Sequence, residues 1–70
     1  MTKSMGKIIE FDGFSGILID KEKHNHIFSR EELLTKDIKV GELVSFESEI
    51  FTTVDNKIYI ARFVKRLEEE

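Results

Sequence analysis

Two apolar runs open the chain, Lys7–Asp12 and Gly16–Lys21, both rich in β-branched and aromatic residues. Gly13-Phe14-Ser15 parts them, a connection short enough for a hairpin and holding the glycine such loops use for positive φ. After the polar stretch KEKHNH, His26–Ser29 reads as a third strand carrying Ile27 and Phe28. Glu42–Phe51 alternates, with Val44, Phe46 and Ile50 on one face and Glu42, Ser45, Glu47 and Glu49 largely elsewhere. The turn Val54-Asp55-Asn56-Lys57 leads into a fifth strand, KIYIARFVKRL. Between strands three and four, Ser29 and Glu32 stand at capping-box spacing, which predicts a turn or two of helix with Leu33 or Leu34 facing the core. Gly41 supplies the tight turn into the fourth strand.

Five short strands, one helical turn and no proline point to an all-β fold, because closing a small sheet on itself removes its exposed edges. An SH3-like barrel has a similar strand count. A three-strand meander followed by a separate hairpin fits a five-stranded antiparallel OB-fold barrel better. Its predicted core includes Ile8, Val44, Phe46, Ile58 and Ile60.

Seventy residues allow one small domain, which buries only about 60% of its unfolded surface. The pattern places the domain at residues 6–67, with 1–5 and 68–70 as flexible termini. There is no cysteine for a disulfide or a thiolate metal site. No apolar run reaches the roughly 20 residues that cross a bilayer, and no apolar signal-peptide region is visible. The expectation is a monomeric cytoplasmic protein with no membrane association. The net charge is -3, and Glu68-Glu69-Glu70 carry all of it, so the folded body is close to neutral. A neutral body is compatible with binding a phosphate chain, at a reduced electrostatic contribution.

Catalytic signatures are missing: there is no nucleophile elbow, no phosphate-cradling glycine loop, and no histidine with an evident carboxylate partner. No enzyme and no cofactor are expected. His24-Asn25-His26 is tempting as a metal site, but two histidines at i, i+2 lack a third ligand nearby, so a solvated turn without metal is the expectation.

The opening GKIIEF resembles the start of bacterial cold-shock domains, which typically read G-K-V-K-W-F. KVGELVSFE is similar to their E-G-x-x-V-x-F-E segment, with Gly41, Val44, Phe46 and Glu47 in register. Ala61-x-x-Val64-x-x-Leu67 is similar to their A-x-N-V-x-x-L ending, with Phe63 where asparagine is usual. The resemblance runs from Gly6 to Leu67. It implies an OB fold that binds single-stranded RNA or DNA by stacking bases on aromatic rings of strands one to three. Glu10 stands at the family tryptophan and Phe11 at the phenylalanine after it, while Ile17 and Ile19, or Phe14 with a one-residue shift, occupy the next ring positions. Ile27-Phe28-Ser29-Arg30 stands for the last motif, keeping Phe28 and exchanging histidine for arginine.

The implied binding residues are Lys7, Phe11, Phe14, Ile17, Phe28 and Arg30, with weak affinity because about half the rings are gone. Half-buried strands usually bury their phenylalanines, so Phe46 and Phe63 are expected in the core, and Phe28 is divided between core and platform. The alternative function is an OB-type protein-interaction module that has lost nucleic-acid binding, with Ile17, Ile19 and Phe14 as its apolar patch.

Overall fold

The computed structural model describes residues 3–67. It holds five strands: β1 (Lys3–Phe11), β2 (Ser15–Asp20), β3 (Asn25–Ser29), β4 (Leu43–Thr52) and β5 (Lys57–Arg66), with one 3₁₀ turn at Arg30–Glu32. They close a barrel in the order β1-β2-β3-β5-β4. All neighbours are antiparallel except β3 and β5, which run parallel with Ile27 beside Ile60. The purely antiparallel barrel expected from the sequence is therefore corrected. The reason is topological, since a closed ring with an odd number of strands cannot alternate direction throughout.

Ile8, Leu18, Phe28, Leu33, Ile38, Val44, Phe46, Ala61 and Val64 form one buried cluster. Strand alternation places them: β2 turns Gly16 and Leu18 inward, β3 turns His26 and Phe28 inward, and β4 turns Val44 and Phe46 inward. Ile8, Val44 and Phe46 lie in the core as expected. Ile58 is exposed, and Ile60 is only half-buried. Buried Ala61 fixes the phase of β5 and turns its neighbour Ile60 outward. Ile50, expected beside Val44 and Phe46, is exposed as well. Beyond Ser48 and Ala61, the pairs Ile50–Tyr59, Phe51–Ile58 and Thr52–Lys57 carry the β4–β5 hairpin outward, in a molecule 37 Å long and 24 Å by 19 Å across.

The linker after β3 departs from a capped helix. Ser29 makes no side-chain cap, and the turn ends within three residues. Glu32 instead reaches across to β5, where its carboxylate accepts from Arg62 Nη1 at 3.1 Å and from the Phe63 N–H at 3.4 Å. Leu33 faces the core and Leu34 faces solvent. Gly41 has φ 97°, and its N–H donates to the Ile8 carbonyl at 2.8 Å, which sets the turn into β4. β1 begins at Lys3, so Lys3–Met5, expected in a flexible terminus, pair with Glu47, Phe46 and Ser45 of β4. Residues 68–70 lie outside the described residues.

Candidate nucleic-acid interface

The first hairpin is shaped by its glycines. Gly13 takes φ 98°, and the Asp12 carboxylate accepts the N–H groups of Phe14 and Ser15 at 2.8 and 2.9 Å. Those two hydrogen bonds, Ser15 first, hold the Asp12 carboxyl below its usual pKa. The turn throws Phe14 outward, 74% exposed. The Arg30 N–H donates to the Phe14 carbonyl at 2.8 Å, which joins the tip of the first hairpin to the end of β3. Two exposed residues, Phe14 and Arg30, are thus joined through their backbones at one corner of the β1–β3 face. Arg30 has no ion-pair partner among the described residues.

Gly16 does different work. A Cβ there would stand 2.6 Å from Phe28 Cζ and closer still to the Glu10 carbonyl oxygen. Its missing side chain is the space the Phe28 ring fills. Phe28 is 3% exposed and stacks on Phe11 with centroids 5.7 Å apart. Phe28, counted among the binding residues but divided between core and platform in the sequence reading, lies in the core, and Phe11 is half-buried against it. The phase of β3 explains this. Buried His26 is two residues before Phe28, so the residue presented outward is Ile27.

Ile17 faces outward beside Ile27, and Ile27 lies beside Ile60. Ile58 and Phe51 continue the same outer side of the β4–β5 hairpin. An apolar band therefore crosses β2, β3 and β5. Ile27, Ile58, Ile60 and Phe51 were missed by sequence reasoning because the β3–β5 neighbourhood joins residues more than thirty positions apart, and no local pattern announces it. Lys7 is also outward, flanked by Ile19 and Leu43. It sits at the far end of the face, about 13 Å along β2 from the Phe14 corner. Glu10 lies opposite Ile17, and with Asp12 it puts acid along a groove lined by Ser15, Gly16, Ile17 and Ile27. Of the six expected residues, Phe14, Arg30 and Ile17 come together on one surface, Lys7 shares that side at a distance, Phe11 is half-buried and Phe28 is buried.

The two histidines are not a solvated pair. His26 is 1% exposed. Its Nδ1–H donates to the His24 carbonyl at 3.2 Å, and the Ser48 hydroxyl donates to Nε2 at 2.9 Å, a tautomer fixed by the carbonyl, which can only accept. The ring meets Phe46 and Tyr59 edge-on, and His24 lies flat on Tyr59 at 4.7 Å. Burial pushes the His26 pKa down, against the opposing pull of the His24 carbonyl and the Asp20 carboxylate 3.9 Å away. For Asp20, burial acts upward, but the N–H groups of His24 and Glu22 and the two imidazoles outweigh it, and its pKa is lowered. No group of three potential metal ligands occurs among the described residues. His26 is a core residue that ties the β2–β3 turn to β4.

This five-stranded closed barrel has the OB architecture found in cold-shock domains. The solved structure of drosophila Unr CSD456, a cold-shock-domain structure, matches 99% of this chain with a TM-score of 0.74 and 18% sequence identity, and the chain spans 28% of its length. That likeness is one of fold. No family model matches the chain, and no curated protein matches it.

Proposed function

We propose that the protein is a binding module for single-stranded RNA or DNA, not an enzyme, and that it acts as a cytoplasmic monomer through the outer side of β1–β3. The observation that carries this reading is the corner where Phe14, largely exposed to solvent, is hydrogen-bonded through its backbone to Arg30. A base stacks on the ring while the guanidinium meets phosphate, and Ile17 and Ile27 give the next base an apolar floor. Affinity is weak, micromolar or poorer, because one exposed ring replaces a platform of several, and Glu10 and Asp12 oppose the phosphate chain. The fold likeness to a cold-shock-domain structure supports nucleic-acid binding at the level of the fold.

The test is a titration of the labelled protein with a short pyrimidine single strand at low salt, followed by amide chemical shifts. Shifts should centre on residues 13–30. Phe14→Ala should cost about 1–3 kcal/mol of binding without loss of stability. Lys7→Ala should mainly reduce the salt slope, by about one. Unmoved amides over residues 13–30 at millimolar ligand would end the nucleic-acid reading.

A second reading has its own observation. The isoleucine band from Ile17 through Ile27 to Ile60, edged by Glu10 and Asp12, suits a basic, apolar segment of a partner protein. It gains if nucleic acid leaves the face untouched while Ile27→Lys abolishes capture of such a segment.

A further inference from the structure

Two kinds of basic residue occur on this barrel. Arg62 is held between Glu32 and Glu49, and Arg66 between Glu42 and Asp37. Lys3, Lys7 and Lys21 have no ion-pair partner among the described residues. Strand alternation brings these lysines to one side. Buried Ile8 and Leu18 fix the phase, so Lys3, Met5 and Lys7 point outward on β1 and Ile19 points outward on β2. Leu43 flanks Lys7 from β4, as Ile19 does from β2.

Met5, Ile19, Leu43 and Leu67 wall an open groove of about 310 Å³, with Lys7 and Lys21 beside them. Met5 and Leu43 are exposed, so the apolar wall faces solvent. The Leu67 N–H donates to the Leu43 carbonyl at 2.9 Å, which fixes the chain after β5 along one side of the groove. Asp20, the one carboxylate lining the groove among the described residues, is committed to its own turn. Its Oδ1 accepts the N–H groups of Glu22 and His24 at 2.8 and 2.9 Å. An apolar wall beside unpaired cations suits a ligand that alternates flat apolar groups with anions, the repeat of a single-stranded nucleic acid. The groove is also continuous with the β1–β3 face. Ile19 lies two residues from Ile17 on the same side of β2, and Lys7 is about 13 Å along that strand from the Phe14 corner.

We propose that this groove is a second base site for the same strand, resting on the nucleic-acid function proposed for the β1–β3 face. One base lies over Met5, Ile19 and Leu43, where the Met5 thioether adds its attraction for an aromatic ring. Lys7 and Lys21 meet the phosphates that flank it. The wall side chains carry no strong hydrogen-bonding group, so the site takes any base and discriminates a base from none. A single strand fills both sites only if it spans about 13 Å. A dinucleotide is too short and occupies one. A hexanucleotide reaches both, and its second contact forms at raised effective concentration. Affinity therefore climbs steeply with length.

The experiment is titration of the labelled full chain at low salt with a thymidine dinucleotide, the hexanucleotide and a hexamer of abasic deoxyribose phosphate. The hexanucleotide should move the amides of residues 5–7, 43 and 67 together with those of 13–17 and 30. It should bind about ten- to a hundredfold tighter than the dinucleotide. The abasic hexamer keeps the phosphates and should leave Leu43 and Leu67 unmoved. Leu43→Glu should bring the hexanucleotide down to the level of the dinucleotide, while dinucleotide shifts at Phe14 and Arg30 persist. Met5→Gln, which adds no charge, should weaken the hexanucleotide in the same selective way. Hexanucleotide shifts confined to residues 13–17 and 30 would overturn the groove site and leave the Phe14 corner standing. So would groove shifts reproduced by the abasic chain or by hexaglutamate, or an undiminished length dependence in Met5→Gln. A hexanucleotide that moves neither set of amides ends both proposals.

Discussion

Gly16→Ala tests the packing on which the whole β1–β3 face depends. Gly16 lies inward on β2 and opposite Phe11 and Phe28 on its neighbours. An added methyl would meet the Phe28 ring at 2.6 Å and the Glu10 carbonyl oxygen closer still. The ring belongs to a packed pair with Phe11, and the carbonyl belongs to the β1 backbone, so neither can yield cheaply. Inserting a methylene into a filled core costs about 1–3 kcal/mol, and contact with backbone argues for the upper half of that range. Alanine recovers about 0.4–1 kcal/mol by stiffening the unfolded chain, which leaves a net loss of about 1–2.6 kcal/mol. For a domain of this size each kcal/mol moves the melting temperature by about 4–8 °C, so a fall of about 4–21 °C is expected by circular dichroism. Phe28→Leu added to Gly16→Ala relieves the ring but not the carbonyl, so the double variant should melt below Phe28→Leu alone. An unchanged or raised melting temperature in Gly16→Ala would refute the claim that this glycine is there for space.

Three further outcomes are expected. His26 is held neutral by burial, so the unfolded chain binds more protons than the folded one once pH drops below about 6.5; stability should fall from pH 7 towards 5, and His26→Gln should flatten that slope. The lowered carboxyls of Asp12, Asp20 and Glu42 act in a separate window, losing their contribution below about pH 4, and a slope between pH 7 and 5 unaltered in His26→Gln would show that another group titrates there. Phe28→Ala should cost about 3–5 kcal/mol in urea unfolding, a large part of the roughly 4–10 kcal/mol that a chain of 70 residues possesses, and a loss under 1 kcal/mol would place the ring outside the core. Zinc should leave the melting temperature unchanged, because both His26 nitrogens already have partners, and a saturable rise abolished by His24→Ala would contradict this.

Local chemistry by itself determined the strands, the glycine turns and the barrel class. The β-branched runs, Gly13 and Gly41 at positive φ, and the alternation that buries Val44 and Phe46 are all short-range features, legible because strand periodicity and turn geometry depend on neighbours in sequence. Phe14 was legible for the same reason, since a turn residue between two strands has nowhere to go but outward. Which face each strand presents was another matter. The phase of β3 rests on His26 finding Ser48, and that of β5 on Ala61 entering the core, both partnerships between distant segments. A one-residue difference in phase exchanges inside and outside, which is why Phe28 lies under Gly16 and Ile27 faces solvent. The parallel contact of β3 with β5, the apolar band it completes and the exposure of Phe63, expected in the core, exist only once the barrel closes. Closure is a long-range event, and it alone decided which side chains remain available for binding.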